Sequence, residues 1–293
     1  MLSTTPYRRL TRAAMLLMMA MAIPAGAQAM GKICAVPVSH DIPKRPYKAP
    51  SGTTLMKTLM NTGGTERDRA ITDEVLAGNV PGFLRDLTPV TIWGSKNGQP
   101  VAVTICVTPG YLSVGNDRDY VQVPLGLTAA AHIASELGFY LPTPKMVDSI
   151  YEEAIVQVSP SPMKPTSEME STDYLVRHNK TVQSQLMRVG GKPKYLTAGH
   201  KKDIVLTKRL TEKRGRVAIY GWHRTNGKPI QPLSTVHGAE YADYSHGVRL
   251  VSSTAYLNGK RVPLAKLMKD PDLARLLTTE GPMDPNRLMA SLR

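Results

Sequence analysis

Residues 236–251, VHGAEYADYSHGVRLV, put two His-Gly steps nine residues apart, His237-Gly238 and His246-Gly247, with Tyr241, Asp243, Tyr244 and Ser245 between them and Arg249 just after. Histidine is the side chain whose ordinary pKa lies closest to neutrality, so either histidine here is suited to general base chemistry. An aspartate such as Asp243 fixes a histidine's tautomer or stabilises its charge, and Arg249 can hold an anionic group such as a peptide carboxylate by paired hydrogen bonds. Ser245 offers a hydroxyl. Neighbouring side chains on a strand point to opposite faces, so Ser245 requires a base other than His246, namely His237 or His200.

The same half of the chain gathers more such groups. Five of the seven histidines (His178, His200, His223, His237 and His246) fall between positions 178 and 246, together with Tyr195, Tyr220, Trp222, Tyr241 and Tyr244. This is the composition of a polar, aromatic cleft acting on sugars or peptides. In AGHKKD, Gly199 bends the backbone beside His200, and Asp203 follows three residues on. A turn there would make the two converge as an oriented base or as metal ligands. In YGWHRTNG, Trp222 and His223 stand just before a turn. The tryptophan either stacks on a substrate ring or covers the core, while His223, Tyr241 and Tyr244 complete a substrate-binding wall. His200, Asp203, His237, Asp243 and His246 are ligand types used by zinc hydrolases. The chain has no H-E-x-x-H, no H-x-H and no cysteine ligand pair, so the residues require no cofactor, and zinc is the one they admit.

HG followed by SHG and VRL resembles the signature of L,D-transpeptidase catalytic domains, which cross-link or trim peptidoglycan. The resemblance implies that His246 is the base, that Arg249 binds substrate or shapes the oxyanion site, and that His237 is the upstream histidine. It covers about 15 of the 293 residues. The family's nucleophile does not carry over: Val248 follows Gly247 where that family has cysteine, and only residues 238–244 separate His237 from Ser245. AGHKKD, YGWH and YADYSHGVRL together also resemble a family of exported bacterial proteins.

The elements that must position these groups follow an export signal. Arg8, Arg9 and Arg12 precede an apolar run at 13–23, then Pro24 and Ala27-Gln28-Ala29, which reads as a secretory signal with cleavage before Met30. The run is shorter than the roughly 20 residues that cross a bilayer, and no later segment reads as an integral span, so a periplasmic or secreted protein is expected. The whole chain carries 37 Lys and Arg against 23 Asp and Glu; without the three signal arginines, 34 against 23 leaves +11. Such a surface is drawn to an anionic cell-wall or extracellular polymer. No basic motif with interleaved aromatics points to nucleic acid. Cys34 and Cys106 are the only cysteines and predict a disulfide across a long loop.

Residues 30–62, rich in Pro and Lys, read as an extended arm, and 63–157 as a helix-rich region with a hairpin. Thr65 and Asp68 suggest a capping box for a first helix, Ser-Lys-Asn-Gly at 95–98 a tight hairpin turn, Thr128 a second helix start and Pro144 a third. Residues 158–173, with three prolines, read as a linker or crossing loop, 174–263 as the strand-rich region that carries the chemistry, and 264–293 as C-terminal helices. The fold class expected is α+β, a helical front half packed with a mostly antiparallel sheet from the second half.

The function these features predict is an exported hydrolase or transferase, not a cysteine enzyme, acting on a cell-envelope or extracellular polymer, with peptidoglycan the substrate class favoured. Its site would gather His200, Asp203, His223, His237, Asp243, Ser245, His246 and Arg249, with His246 or His237 as base. Two alternatives come from the same residues: a zinc-dependent hydrolase using His200, Asp203, His237 and His246, and a non-catalytic protein that binds glycan or cell wall through Trp222 and the tyrosines.

Overall fold

The computed structural model describes residues 33–34 and 42–292. The expected export signal, residues 1–29, lies outside the described residues, as do residues 30–32 and 35–41 of the arm, His40 among them. Within the arm, Ser51 caps a short helix α1 (Gly52–Thr58) by accepting the Thr54 N–H. The helix buries Leu55 and Met56, which is why the arm is not extended throughout as its composition predicts. Helix α2 (Gly64–Leu76) buries Ile71 and Val75, but its N-cap is Gly63 with no side-chain bond. Asp68 is taken by tertiary structure instead. Its carboxylate is buried and accepts the Gly126 N–H at 2.7 Å.

Strands β1 (Thr88–Lys96) and β2 (Gln99–Val107) form the predicted hairpin, with Lys96 opposite Gln99 and both Asn97 (φ 50°) and Gly98 (φ 76°) left-handed, as a two-residue turn with matching twist demands. Short strands β3 (Ser113–Gly115) and β4 (Tyr120–Gln122) follow. Helix α3 (Leu127–Glu136) starts from Gly126 rather than from a Thr128 cap, and leads to β5 (Phe139–Tyr140). Helix α4 (Pro144–Glu153) has proline in its first turn and Thr143 as a side-chain cap. After β6 (Val156–Gln157) the Pro-rich stretch crosses to a single turn at Ser167–Glu170. Helix α5 (Thr172–Arg188), capped by Ser171, then occupies the start of the region expected to be strands. Its buried residues are Thr172, Tyr174, Leu175, His178, Asn179 and Val182. Thr172, His178 and Asn179 among these six are polar, which dilutes the apolar period that would announce a helix.

The rest is β7 (Thr197–Ala198), β8 (Lys202–Ile204), helix α6 (Arg209–Glu212), β9 (Ile219–His223), β10 (Pro229–Ser234), β11 (His246–Gly247), β12 (Val251–Leu257) and β13 (Lys260–Pro263). Helices α7 (Leu264–Lys269), α8 (Ala274–Leu277) and α9 (Pro285–Ala290) close the chain. The fold is α+β, with helices toward the front and an antiparallel sheet packed with them from the second half. One sheet runs β1-β2-β12-β13, with β5 also on β12, so hairpin strands from the front and strands from the back share one layer. A second sheet runs β10-β9-β8-β11 and is antiparallel except at β8–β11. No helix among the described residues is long and apolar enough to cross a membrane.

The expected disulfide is present. Cys34 and Cys106, both buried, are joined across 72 positions with Cα atoms 5.6 Å apart, which ties the N-terminal segment to the middle of the first sheet. A loop that long restricts the unfolded chain by about 4 kcal/mol in the entropic model. Replacing both cysteines with serine is expected to lower the unfolding free energy by about 2–4 kcal/mol in denaturant titrations, and reductant should then have no effect on the double variant.

Candidate functional site

Three of the singled-out stretches meet where β8 and β11 lie parallel. His246 is opposite Lys202 and Gly247 opposite Asp203, so GHKKD and DYSHGVR run side by side. The glycines of these motifs serve close packing. A Cβ on Gly247 would lie 2.7 Å from the Tyr111 ring and 2.8 Å from the Lys201 Cβ; Gly199 has φ +102°, and a Cβ there would lie 2.5 Å from the Val158 carbonyl.

On one side of this seam is a closed polar core. Arg249 is fully buried. Its Nη1 donates to the Thr108 carbonyl at 2.8 Å and its Nη2 to the Thr197 carbonyl at 2.7 Å, while the guanidinium lies 4.4 Å over the Tyr111 ring. Nε is 3.9 Å from Asp203 Oδ1, and Tyr111 donates its hydroxyl to Asp203 Oδ2 at 2.8 Å. Burial pushes the Asp203 carboxyl up to about 6 against the opposing pull of Arg249 and the Tyr111 hydrogen bond. Burial holds His200 neutral, well below its ordinary range. Its Nε2 therefore accepts from the Gln122 amide at 3.2 Å, and the proton is on Nδ1. Lys201, also fully buried, donates to the Tyr244 carbonyl at 2.6 Å and meets His178 Nδ1 at 3.3 Å. Burial brings its ammonium down to about 7, partly opposed by Asp243, and brings His178 down to about 2, with the charge of Lys201 adding to the effect.

On the other side stands Asp243. The backbone N–H of Ser245 donates to its Oδ1 at 2.7 Å and the Ser245 hydroxyl donates to the same oxygen. Lys202 Nζ is 3.4 Å and the Tyr241 hydroxyl 3.3 Å from Oδ2. Burial opposes ionisation, but His246, Lys202 and the Ser245 bonds hold the carboxyl down at about 2. Ser245 thus donates its hydroxyl to the Asp243 carboxylate. His246 is fully buried, and neither ring nitrogen has a hydrogen-bond partner among the described residues; burial lowers it to about 4, against the pull of Asp243. The half-exposed His237 stacks on Tyr241 at 4.1 Å, and Tyr241 meets His246 edge-on at 5.7 Å, so two rings cover the buried histidine. Trp222 is buried at 7% exposure, with the Lys202 ammonium 5.0 Å over its ring. Its burial leaves little of the ring open to a stacking partner. Tyr244 spends its hydroxyl on the Met163 backbone.

His200, Asp203 and Arg249 are therefore together, Asp243, Ser245 and His246 are together, and the two groups share a strand pair rather than one open cleft. Among the described residues no three His, Cys, Asp or Glu side chains come together as a metal site, so the zinc set His200, Asp203, His237 and His246 is not assembled.

His223 alone of the singled-out histidines faces an open cleft through a carboxylate. Gly221 (φ 101°) and Trp222 (φ 55°) are both left-handed, a conformation that costs a non-glycine residue of order 1–3 kcal/mol. The resulting kink turns His223 onto the Tyr151 ring, stacked at 4.5 Å. There His223 Nε2 is 3.0 Å from Asp148 Oδ1, and the Tyr220 hydroxyl donates to the same oxygen at 2.9 Å. The Asp148 side chain is 42% exposed. The cleft of about 500 Å³ is lined by Asp148, Glu152, Tyr151, Gln157, Tyr220, His223 and the turn 225–227. Sequence reasoning did not single out Asp148, Glu152, Tyr111 or Lys201. Only the first pair left a signal, as carboxylates at i and i+4 on α4.

Lys201 has a measurable signature. A lysine whose folded pKa lies near 7 and whose unfolded value is 10.5 costs no stability above pH 10.5, and destabilises progressively as pH falls from there to about 7. Unfolding free energy measured between pH 7 and 10 should therefore rise more steeply in the natural chain than in Lys201→Met, by up to about 1.4 kcal/mol per unit. Parallel curves would show that the amine is not buried in this way. No protein-family model matches this chain, and neither a curated protein nor a solved structure matches it.

Proposed function

We propose that the chain is an exported hydrolase, or a transferase of related chemistry, acting on a cell-envelope or extracellular polymer, with peptidoglycan as the substrate class and the cleft at Asp148 and His223 as the place of reaction. The observation that carries this reading is the hydrogen-bonded His223–Asp148 pair, held by a strained strand end in a cleft wide enough for a sugar or peptide unit. In this reading Asp148 takes a proton from water or a substrate hydroxyl, while His223 and Tyr220, both directed at Oδ1, orient the carboxylate. Glu152, one turn along the same helix, is placed to return a proton to the leaving group. Tyr220 and the amides of Gln157 and Asn226 offer hydrogen bonds to hydroxyls. The disulfide suits an oxidising compartment, and the basic balance favours an anionic polymer. His246 and Ser245 support the site from within instead of touching substrate.

A second reading, glycan or cell-wall binding without turnover, is favoured by the closure of the larger histidine cluster: His200, Asp203, Asp243, Ser245, His246 and Arg249 are each 3% exposed or less. Incubation of the mature chain with purified peptidoglycan separates the two. Turnover should appear and fall by about 10²–10⁴ in Asp148→Asn and His223→Gln, the usual weight of a general acid or base, with melting temperature and polymer co-sedimentation retained. Co-sedimentation without any released fragment would establish the binding protein, and turnover unchanged in both variants would remove the cleft from the chemistry.

A further inference from the structure

Helix α5 ends in a tip that carries charge and apolar surface together. Gly190 (φ 64°) turns the chain back, and the Gly191 N–H donates to the Leu186 carbonyl at 2.9 Å, which folds the following residues against the helix end. A Cβ on Gly191 would lie 3.3 Å from both Leu186 and Val156, so the tip also packs close to β6. What it presents outward is unlike a packed surface. Met187 is 72% and Val189 57% exposed, and Arg188, Lys192 and Lys194 beside them are exposed as well. Arg118, also exposed, lines the same cavity as Met187 and Lys192, so a fourth cation stands at the tip. None of the four takes part in an ion pair among the described residues; Lys192 meets only the Tyr195 ring, 5.8 Å away. Residues 186–195 contain no carboxylate, and Asp117, in the wall of that cavity, accepts the Phe83 N–H at 3.2 Å.

We propose that this tip docks the protein on a membrane surface bearing anionic phospholipid. A soluble polyanion would meet the cations but leave Met187 and Val189 in water. A stable protein interface buries about 800 Å² on each partner, more than two apolar side chains supply. An anionic bilayer surface suits both features: phosphate headgroups meet Arg118, Arg188, Lys192 and Lys194, while Met187 and Val189 enter the boundary between headgroups and acyl chains. The attachment is peripheral, in keeping with the finding that no helix among the described residues is long and apolar enough to cross a membrane. The inference goes beyond the chemistry of the cleft. It concerns binding at a different place, and holds whether or not Asp148 turns over a polymer.

Flotation of the full mature chain with vesicles tests the proposal, comparing phosphatidylglycerol mixed into phosphatidylcholine with phosphatidylcholine alone. The mixed vesicles should bind about tenfold or more tightly, and the difference should shrink as salt rises. Lys192→Glu together with Lys194→Glu should remove that preference. Met187→Ser together with Val189→Ser should weaken binding to the mixed vesicles by about tenfold with the charge unchanged. All four side chains are exposed, so melting temperature should hold in both variants. Lys213→Glu with Arg214→Glu makes the same change of charge on another exposed basic stretch and should have much less effect. Equal binding to the two kinds of vesicle, no flotation with either at millimolar lipid, or equal losses from the two charge-reversed pairs would overturn the proposal, the last by assigning the binding to net charge. Binding indifferent to the Met187 and Val189 exchange would overturn it too, by making the tip a site for polyanions in general. Asp148→Asn should leave flotation unchanged, so failure in the cleft and failure here are read separately.

Discussion

The arginine at position 249 has no water around it, and the fold has to replace that water. A guanidinium moved out of solvent needs acceptors for its donors. Arg249 finds them for its two terminal nitrogens, whereas Nε, 3.9 Å from Asp203 Oδ1, has no hydrogen-bond partner among the described residues. Two backbone carbonyls, Thr108 at the end of the first hairpin and Thr197 in β7, take its terminal nitrogens, and the Tyr111 ring covers its face. These partners come from two segments far apart in the chain, residues 108–111 and Thr197, so satisfying one side chain ties the end of the first hairpin to β7, which pairs with β6. Asp203 then lies next to a cation and a phenol, and Gly247 exists because any side chain there would displace Tyr111.

From that constraint the charge states of the neighbours follow. Burial is the main reason that His200 stays neutral, with the charges of Lys201 and Arg249 adding to it, and burial alone brings Lys201 down, against the pull of Asp243. Asp243 goes the other way: burial opposes its ionisation, but His246, Lys202 and the Ser245 hydrogen bonds outweigh that cost. The core is thus a set of groups whose protonation is decided by packing. Such sites occur in catalytic centres and in purely structural networks alike. What separates the outer cleft from this core is access: Asp148 is the one carboxylate of these clusters that combines a histidine partner with exposure to an open space.

The elements legible in the sequence were those with local causes. The Asn97-Gly98 turn, the Thr143-Pro144 start of α4 and the alternating runs that became β9, β10 and β12 all announce themselves within a few residues. Helix α5 did not, because His178 and Asn179 on its buried face look polar until Lys201 and Gln122 are known to lie against them. The capping box at Thr65 and Asp68 was misleading for the same kind of reason: a tertiary partner, the Gly126 N–H, competes for Asp68. The histidine cluster was legible as a cluster, since His200, Asp203, Asp243, His246 and Arg249 do converge on one strand pair. Its closure was not, since burial is a property of what packs over a residue.

By itself, then, the sequence determined the α+β class, the hairpin and the pairing of its two cysteines, because each rests on short-range patterning or on there being only one partner to choose. Tertiary structure alone decided the state of the residues at 237–249: His246 sealed beneath Tyr241 and His237, Ser245 bound to Asp243, and Arg249 spent on backbone carbonyls. It likewise brought Asp148 from α4 to His223 at the kinked end of β9, a meeting across 75 positions that no local spacing encodes. The physical reason is the same throughout. Propensity and periodicity act between near neighbours, whereas exposure, protonation and partner choice depend on long-range packing that only the folded chain establishes.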